Sequence, residues 1–193
     1  MTDLVIGADG LPRCGWGQST PDYAAYHDTE WGRPLRGDDA LYERLTLEAF
    51  QSGLSWLTIL RKRVAFRLAF DEFRIETVAG YDDSDVARLL ADAGIVRNRA
   101  KIEAAIANAR AALELPEGIS ALLWSFAPPP RVARPASAAQ VPALTPESTA
   151  MAKALKKRGF RFVGPTTAYA LMQATGMVDD HLAGCHVVAG RAA

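Results

Sequence analysis

LKKRGFRFVGPTTAYALMQ, residues 155–173, reads as a helix, a tight turn and a second helix. Gly159 stands where a left-handed cap closes the first helix. Phe160 and Phe162 offer apolar anchors for the turn, and Gly164-Pro165 opens the second helix, because proline suits the first helical position. Amide groups at a helix start lack intrahelical acceptors and favour an anion such as phosphate. Lys156, Lys157 and Arg158 flank the same end. The stretch suits gripping one nucleic-acid strand through its phosphates. An ordinary helical turn with a solvated basic face would show the same pattern.

Working outward, Thr145 is placed to cap a helix over 146–158, with Pro146 at its first position. Residues 127–146 are rich in Pro, Ala and Ser and read as a loop or linker rather than a packed element. Further upstream the texture is helical. Residues 38–51 carry Leu41, Leu45 and Phe50 at helical spacing, with Asp38 or Asp39 as the candidate cap. Gly53 interrupts before a second helix, 55–70, with a basic outer face. Helices follow over 83–93 and 97–114, and ISALLWSF stops at Pro128. No strand pattern and no internal repeat is visible. The expected class is all-α.

The 193 residues carry no net charge, which excludes a surface that binds polyanions all over but not a local basic patch. Arg61, Lys62, Arg63 and Arg67 form one cluster of cations. Arg97, Arg99 and Lys101 form a second, and Lys153, Lys156, Lys157, Arg158 and Arg161 a third. No apolar run approaches a membrane span, so no membrane partner is expected. The N-terminal stretch does not read as a signal peptide, and two cysteines alone point to a reducing cytoplasm.

Those cysteines lie near opposite ends, each near a histidine: Cys14 with His27, and Cys185 four residues after His181. In a helix His181 and Cys185 would share one face. Two thiols and two imidazoles suit zinc, and a closed four-ligand site is structural. Two buried free thiols with surface histidines is the plainer reading. A disulfide disagrees with the redox compartment. Between Cys14 and Trp56 the chain is dense in aromatics: Trp16, Tyr23, Tyr26, Trp31 and Trp56, with Glu48 on the intervening helix. Aromatic faces stack on nucleobases, and a carboxylate among them would accept an exocyclic amine or pair with a cationic base. Taken singly, each aromatic is as readily a core residue and Glu48 a surface glutamate.

Together the motifs resemble a known family. Cys-Gly-Trp at 14–16, Tyr-His-Asp-Thr-Glu-Trp-Gly at 26–32, Gly-Leu-Ser-Trp at 53–56, Lys-Lys-Arg-Gly-Phe-Arg-Phe-Val-Gly at 156–164 and Asp180-His181 with Cys185 run in order over about residues 12–186. The chain is similar to 3-methyladenine DNA glycosylase I of the constitutive bacterial type, within the helix-hairpin-helix glycosylase superfamily. The organisation expected is one helical domain over 12–188, or two lobes with the hairpin at 155–173 and the Pro-rich loop at 127–146, preceded by an extension (1–11) and followed by a tail (189–193). The resemblance implies structural Zn2+ on Cys14, His27, His181 and Cys185, joining the N- and C-terminal segments. It implies that Tyr26, Glu48 and Trp56 hold an extruded 3-methyladenine, with Trp31, Trp16 and Tyr23 lining the pocket; Glu48 is the candidate catalytic residue, acting in base recognition or as a general base. The Gly53-Leu54 turn would enter the gap in the duplex, while Lys156, Lys157 and Gly164 grip the backbone.

The implied reaction is hydrolysis of the N-glycosidic bond in double-stranded DNA containing alkylated adenine, by a monomeric enzyme of base-excision repair. A zinc-stapled module that binds damaged or single-stranded DNA without cutting is the alternative; a soluble zinc hydrolase is a third class, disfavoured by a full ligand set. His186 stands where relatives carry a further cysteine and is a competing ligand. Asp179 and Asp180 lie where the superfamily places an aspartate that promotes hydrolysis, and neither is assigned that role.

Overall fold

The computed structural model describes residues 3–188. The tail expected over 189–193 lies outside them. The chain opens with a hairpin, β1 (Leu4–Ile6) and β2 (Pro12–Cys14), paired antiparallel with Leu4 opposite Cys14. Helices follow: α1 (Pro21–Thr29), α2 (Asp38–Gln51), α3 (Trp56–Ala69), α4 (Ile75–Ala79), α5 (Asp83–Ala91), α6 (Arg99–Leu113), α7 (Gly118–Trp124), α8 (Pro146–Lys157) and α9 (Pro165–Ala174). The fold is mostly helical rather than all-α. Three-residue strands carry too little alternation to register in a sequence pattern. Half of the hairpin lies in the segment read as an extension, and its pairing holds the strand that ends at Cys14.

α2 is the axis of the molecule. Leu41, Tyr42, Leu45, Leu47 and Phe50 are each 1% exposed or less, and α2 packs on α3, α7 and α9. Phe50 meets Phe66 of α3 edge-on at 4.8 Å; truncating such a ring to alanine costs about 3–5 kcal/mol. Asp38 and Asp39 do not cap α2, whose N-cap is Gly37. They tie it to its neighbours instead: Asp38 accepts the N–H of Ser120 at 2.8 Å, and Asp39 that of Ile75 at 2.9 Å. α2 ends at a turn where Gly53 takes φ 82°, a left-handed value that favours glycine. Ser55 then caps α3 by accepting the Thr58 N–H at 3.2 Å.

Residues 127–146 form an irregular loop, as their composition indicates, with Pro135 alone among them buried. Apart from a short 3-10 turn, Ala138–Gln140, they lack regular structure, yet they bind the C-terminal segment closely. Arg134 Nε donates to Asp179 at 2.8 Å, the Ala183 N–H donates to the Pro135 carbonyl at 2.8 Å, and Arg131 reaches the Tyr169 hydroxyl at 2.9 Å. Side chains and carbonyls, not periodic backbone bonds, tie this loop to α9 and the C-terminal segment, contacts that composition does not reveal. No helix among the described residues is long and apolar enough to cross a membrane.

Candidate active site and metal centre

α1 serves two sites at once. Tyr23 and Tyr26, three residues apart, face a cavity, while His27, about 100° further round the helix, turns toward the two cysteines. Trp16, from the 3-10 turn Gly15–Gln18, stands between them. Its ring lies 5.1 Å from Tyr23, 6.4 Å from Tyr26, 5.1 Å from His27 and 4.9 Å from Trp31.

The cavity encloses about 410 Å³ and is lined by Trp16, Tyr23, Tyr26, Trp31, Glu48 and Trp56, with Gln51, Gln173 and Asp180 also on its wall. All six residues picked out from the sequence as a base pocket therefore meet in one space. Tyr26 and Trp56 are 5.5 Å apart, ring to ring. Both are buried.

Glu48 is not a surface glutamate. It is 5% exposed, and its carboxylate has no hydrogen-bond partner among the described residues. Burial pushes its pKa up to about 7, against the pull of the Arg44 charge. The indole N–H of Trp56 is likewise buried without an acceptor. Arg44, a turn before Glu48 on α2, was not picked out from the sequence. Its guanidinium donates to the Tyr26 hydroxyl at 2.8 Å and stands 5.2 Å from the Trp56 ring centre. Arg44 thus fixes the two aromatics and supplies the positive charge nearest Glu48; its spacing of four from Glu48 on one helix face was the available signal. Asp180 is buried as well. It accepts the Tyr169 hydroxyl at 2.6 Å and Gln173 Nε2 at 2.9 Å. Arg131 pairs with its other oxygen at 3.1 Å, out of hydrogen-bond alignment. Asp180 fastens the 127–146 loop to α9.

On the far side of Trp16, the ligand atoms of Cys14, His27, His181 and Cys185 lie within 4.8 Å of one another, and all four residues are buried. His181 and Cys185 are not on a helix; a turn with Gly184 at φ 89° brings them together. Cys185 Sγ is 3.6 Å from His27 Nε2 and 3.8 Å from His181 Nδ1, and Cys14 Sγ is 3.9 Å from His181 Nδ1. Such separations suit ligand atoms bound at ~2.0–2.3 Å to one ion.

The outer contacts fit as well. His27 Nδ1 is 2.8 Å from Asp28, and His181 Nε2 is 3.2 Å from the Trp31 carbonyl. Each ring donates its outer N–H to that acceptor, which leaves the inward nitrogen bare for a cation. The Leu182 N–H donates to Cys14 Sγ at 3.3 Å. Proximity to Cys185 and burial raise the Cys14 thiol, while proximity to Cys14 and the contacts with His181 and His27 lower Cys185. Gly32 lets the chain close on this cluster, since a Cβ there would sit 2.9 Å from His181 Nε2. His186 stands apart from the four, with its Nε2 3.1 Å from Asp28. Asp28 also takes Arg13 from β2; although burial pulls its carboxyl upward, the bonds from Arg13, His27 and His186 hold it below the usual range.

A smaller space of about 300 Å³ adjoins the cavity, sharing Glu48, Gln51 and Ala170 with it. Glu48, Gln51, Ser52, Gly53 and Leu54 line one side, and Thr166, Thr167 and Ala170 of α9 the other. Leu54 is 42% exposed at its mouth. In the hairpin Gly159 takes φ 88° and Gly164 is the N-cap of α9. Phe160 is buried and anchors the turn, whereas Phe162 points outward, 46% exposed. Lys156 and Lys157 are exposed and form no ion pair among the described residues. The first cationic cluster is spent internally: Arg61 on Asp22, Arg63 on Glu30, Arg67 on Glu43.

A helical body with an aromatic, carboxylate-bearing cavity roomy enough to admit a nucleobase, beside a helix–turn–helix pair, defines a base-pocket protein. Residues 16–188 match the methyladenine glycosylase family, and the chain belongs to it. It is 46% identical over 179 residues to DNA-3-methyladenine glycosylase 1 of Escherichia coli, covering 91% of this chain and 96% of that protein. The Haemophilus influenzae DNA-3-methyladenine glycosylase is 43% identical over 177 residues, with 90% and 96% covered. A crystal structure of 3-methyladenine DNA glycosylase I superposes with TM-score 0.87 at 46% identity, over 90% of this chain and 98% of that one. Another, of a variant in complex with 3-methyladenine, gives 0.85 at 36% identity, over 90% and 96%.

Proposed function

We propose that this protein is a monofunctional base-excision repair enzyme that extrudes 3-methyladenine from double-stranded DNA and hydrolyses its N-glycosidic bond. One observation carries the reading: a buried carboxylate without a partner, Glu48, faces a cavity walled by Tyr26 and Trp56. Unstacking a base costs a few kcal/mol, less for a damaged one. An N3-alkylated adenine nucleoside is already cationic, so its base leaves with little acid assistance. The site must chiefly tell that cation from neutral adenine. The faces of Tyr26 and Trp56 attract a cation, with Trp16, Tyr23 and Trp31 lining the rest, and the Glu48 carboxylate adds a charge-assisted contact. Water attacks C1′ as the C1′–N9 bond breaks; the bonding electrons leave with the base, and the water's proton passes to solvent. Glu48 recognises the base and is not the general base. The Gly53-Leu54 turn occupies the gap in the duplex, and Lys156, Lys157 and Gly164 hold the phosphates.

Cys14, His27, His181 and Cys185 would hold one zinc ion. Bound there it supplies no open position for water, only a clip between β2, α1 and the C-terminal segment. The enzyme acts as a monomer in the cytoplasm.

The deciding measurement is release of free 3-methyladenine from methylated duplex DNA, with metal content determined on the same sample. Release with about one zinc per chain is expected. Damaged-DNA binding without release would leave a binding module. Glu48→Gln is expected to lose free-base binding and excision together; retained binding with lost turnover would make Glu48 the general base.

A further inference from the structure

Two side chains of α6 that touch neither the cavity nor the metal cluster each hold one of the turns assigned to DNA. Lys101 is 8% exposed, and its ammonium donates to the carbonyls of Phe50 at 2.9 Å and Ser52 at 2.5 Å. Those carbonyls belong to the C-terminal turn of α2, where helix ends lack internal donors and favour a cation. They bracket Gln51, whose own carbonyl accepts the Leu54 N–H at 2.6 Å. The exit of α2, and hence the direction of Gly53-Leu54, is therefore pinned from one side by Lys101.

Asn108 is 1% exposed and makes a two-way clamp on the hairpin: it accepts the Arg161 N–H at 2.7 Å and donates to the Arg161 carbonyl at 3.1 Å. Seven residues separate Lys101 from Asn108. That is two turns along one face of α6, about 10 Å of rise. Burying an ammonium costs several kcal/mol unless its donors are used, and an apolar side chain would fill the space at α6 more cheaply. The distinctive property of both residues is the loop each one holds.

We propose that Lys101 and Asn108 are positioning residues, and that α6 is the spacer fixing the Gly53-Leu54 turn relative to the 159–164 turn on DNA. This rests on the reading that Leu54 enters the duplex and that the hairpin holds phosphates. Lys101 orients the element needed only when a base must leave a paired strand. Asn108 orients the element that grips a strand whether or not it is paired.

The test compares excision of 3-methyladenine from duplex and from single-stranded oligonucleotides, with free 3-methyladenine binding and unfolding temperature measured alongside. Lys101→Met is expected to lower the duplex-to-single-strand ratio of kcat/KM about tenfold, the effect of one lost anchor. Lys101→Gln, which keeps a donor, recovers part of it. Asn108→Ala is expected to raise KM about fivefold on both DNAs, as for one weakened hydrogen-bonded clamp. A Lys101→Met protein that loses excision on both DNAs equally, in step with free-base binding and unfolding temperature, overturns the proposal; so does failure of both Lys101 variants to fold. An unchanged KM in Asn108→Ala removes the hairpin half. Leu54→Ala serves as the reference: if it leaves the ratio unmoved, the duplex-entering turn itself is wrong. If it lowers the ratio and Lys101→Met does not, only the role of Lys101 falls.

Discussion

The cavity and the cysteine–histidine cluster share Trp16 and adjoin the same helix, yet they treat polar atoms in opposite ways. In the cluster both imidazoles have their outer nitrogens matched, to Asp28 and to the Trp31 carbonyl. In the cavity the Glu48 carboxylate and the Trp56 indole N–H have no hydrogen-bond partner among the described residues. Leaving a buried polar group unmatched costs about 1–3 kcal/mol. A region that matches its groups is built to retain something permanently. A region that leaves them bare is built for an exchangeable guest that supplies the missing partners.

The largest expected effect tests the permanent side. Cys185→Ser, or removal of the metal by chelation, should abolish stoichiometric zinc and lower the unfolding temperature by roughly 10 °C or more, as for loss of several kcal/mol of metal-linked stability. A protein with zinc intact and unfolding unchanged would erase the distinction between the two sides.

The next effect tests the bare side. The folded pKa of Glu48 is about 7, against an ordinary 4.5. Between those values the folded state keeps a proton that the unfolded state releases, so stability falls as pH rises through the window and the penalty is complete above it. Glu48→Gln should therefore be more stable than the parent by up to about 3 kcal/mol near pH 8, with the gain vanishing toward pH 4. Thermal unfolding at the two pH values measures it. Excision runs the other way: attraction of a cationic base requires the carboxylate, so activity of the parent should rise as pH rises through about 7. A parent whose stability does not fall across this window would mean Glu48 is solvated. The smallest effect is at the surface: Lys156→Ala should weaken DNA binding a few-fold and reduce the salt dependence by about one unit.

Much of this was legible in the sequence because it depends on residue type and order. The helix 38–51 announced itself by periodicity and the helix 146–158 by threonine and proline at its start, and the clustered Cys14, His27, His181 and Cys185 were visible as scarce residues. What was hidden depends on partners far away in the chain. Arg44 reads as an ordinary helix arginine until its guanidinium is seen against Tyr26 and Trp56. Asp38 and Asp39 read as caps but serve other helices. The loop at 127–146 gives no sign of its ties to α9 and the C-terminal segment, because they run through arginines and carbonyls. The first hairpin carried one overlooked sign, Asp9-Gly10 between its strands, a pair favoured in tight β-turns.

Cys14 and His181, 167 positions apart, are near neighbours in the cluster. On a ribosome Cys14 and His27 emerge early and must wait while almost every helix is made. The cage can close only once residues 181–185 have left the exit tunnel. Were an ion held there, its capture would be tied to completion of the body around it, and a truncated copy would carry only half of the cluster.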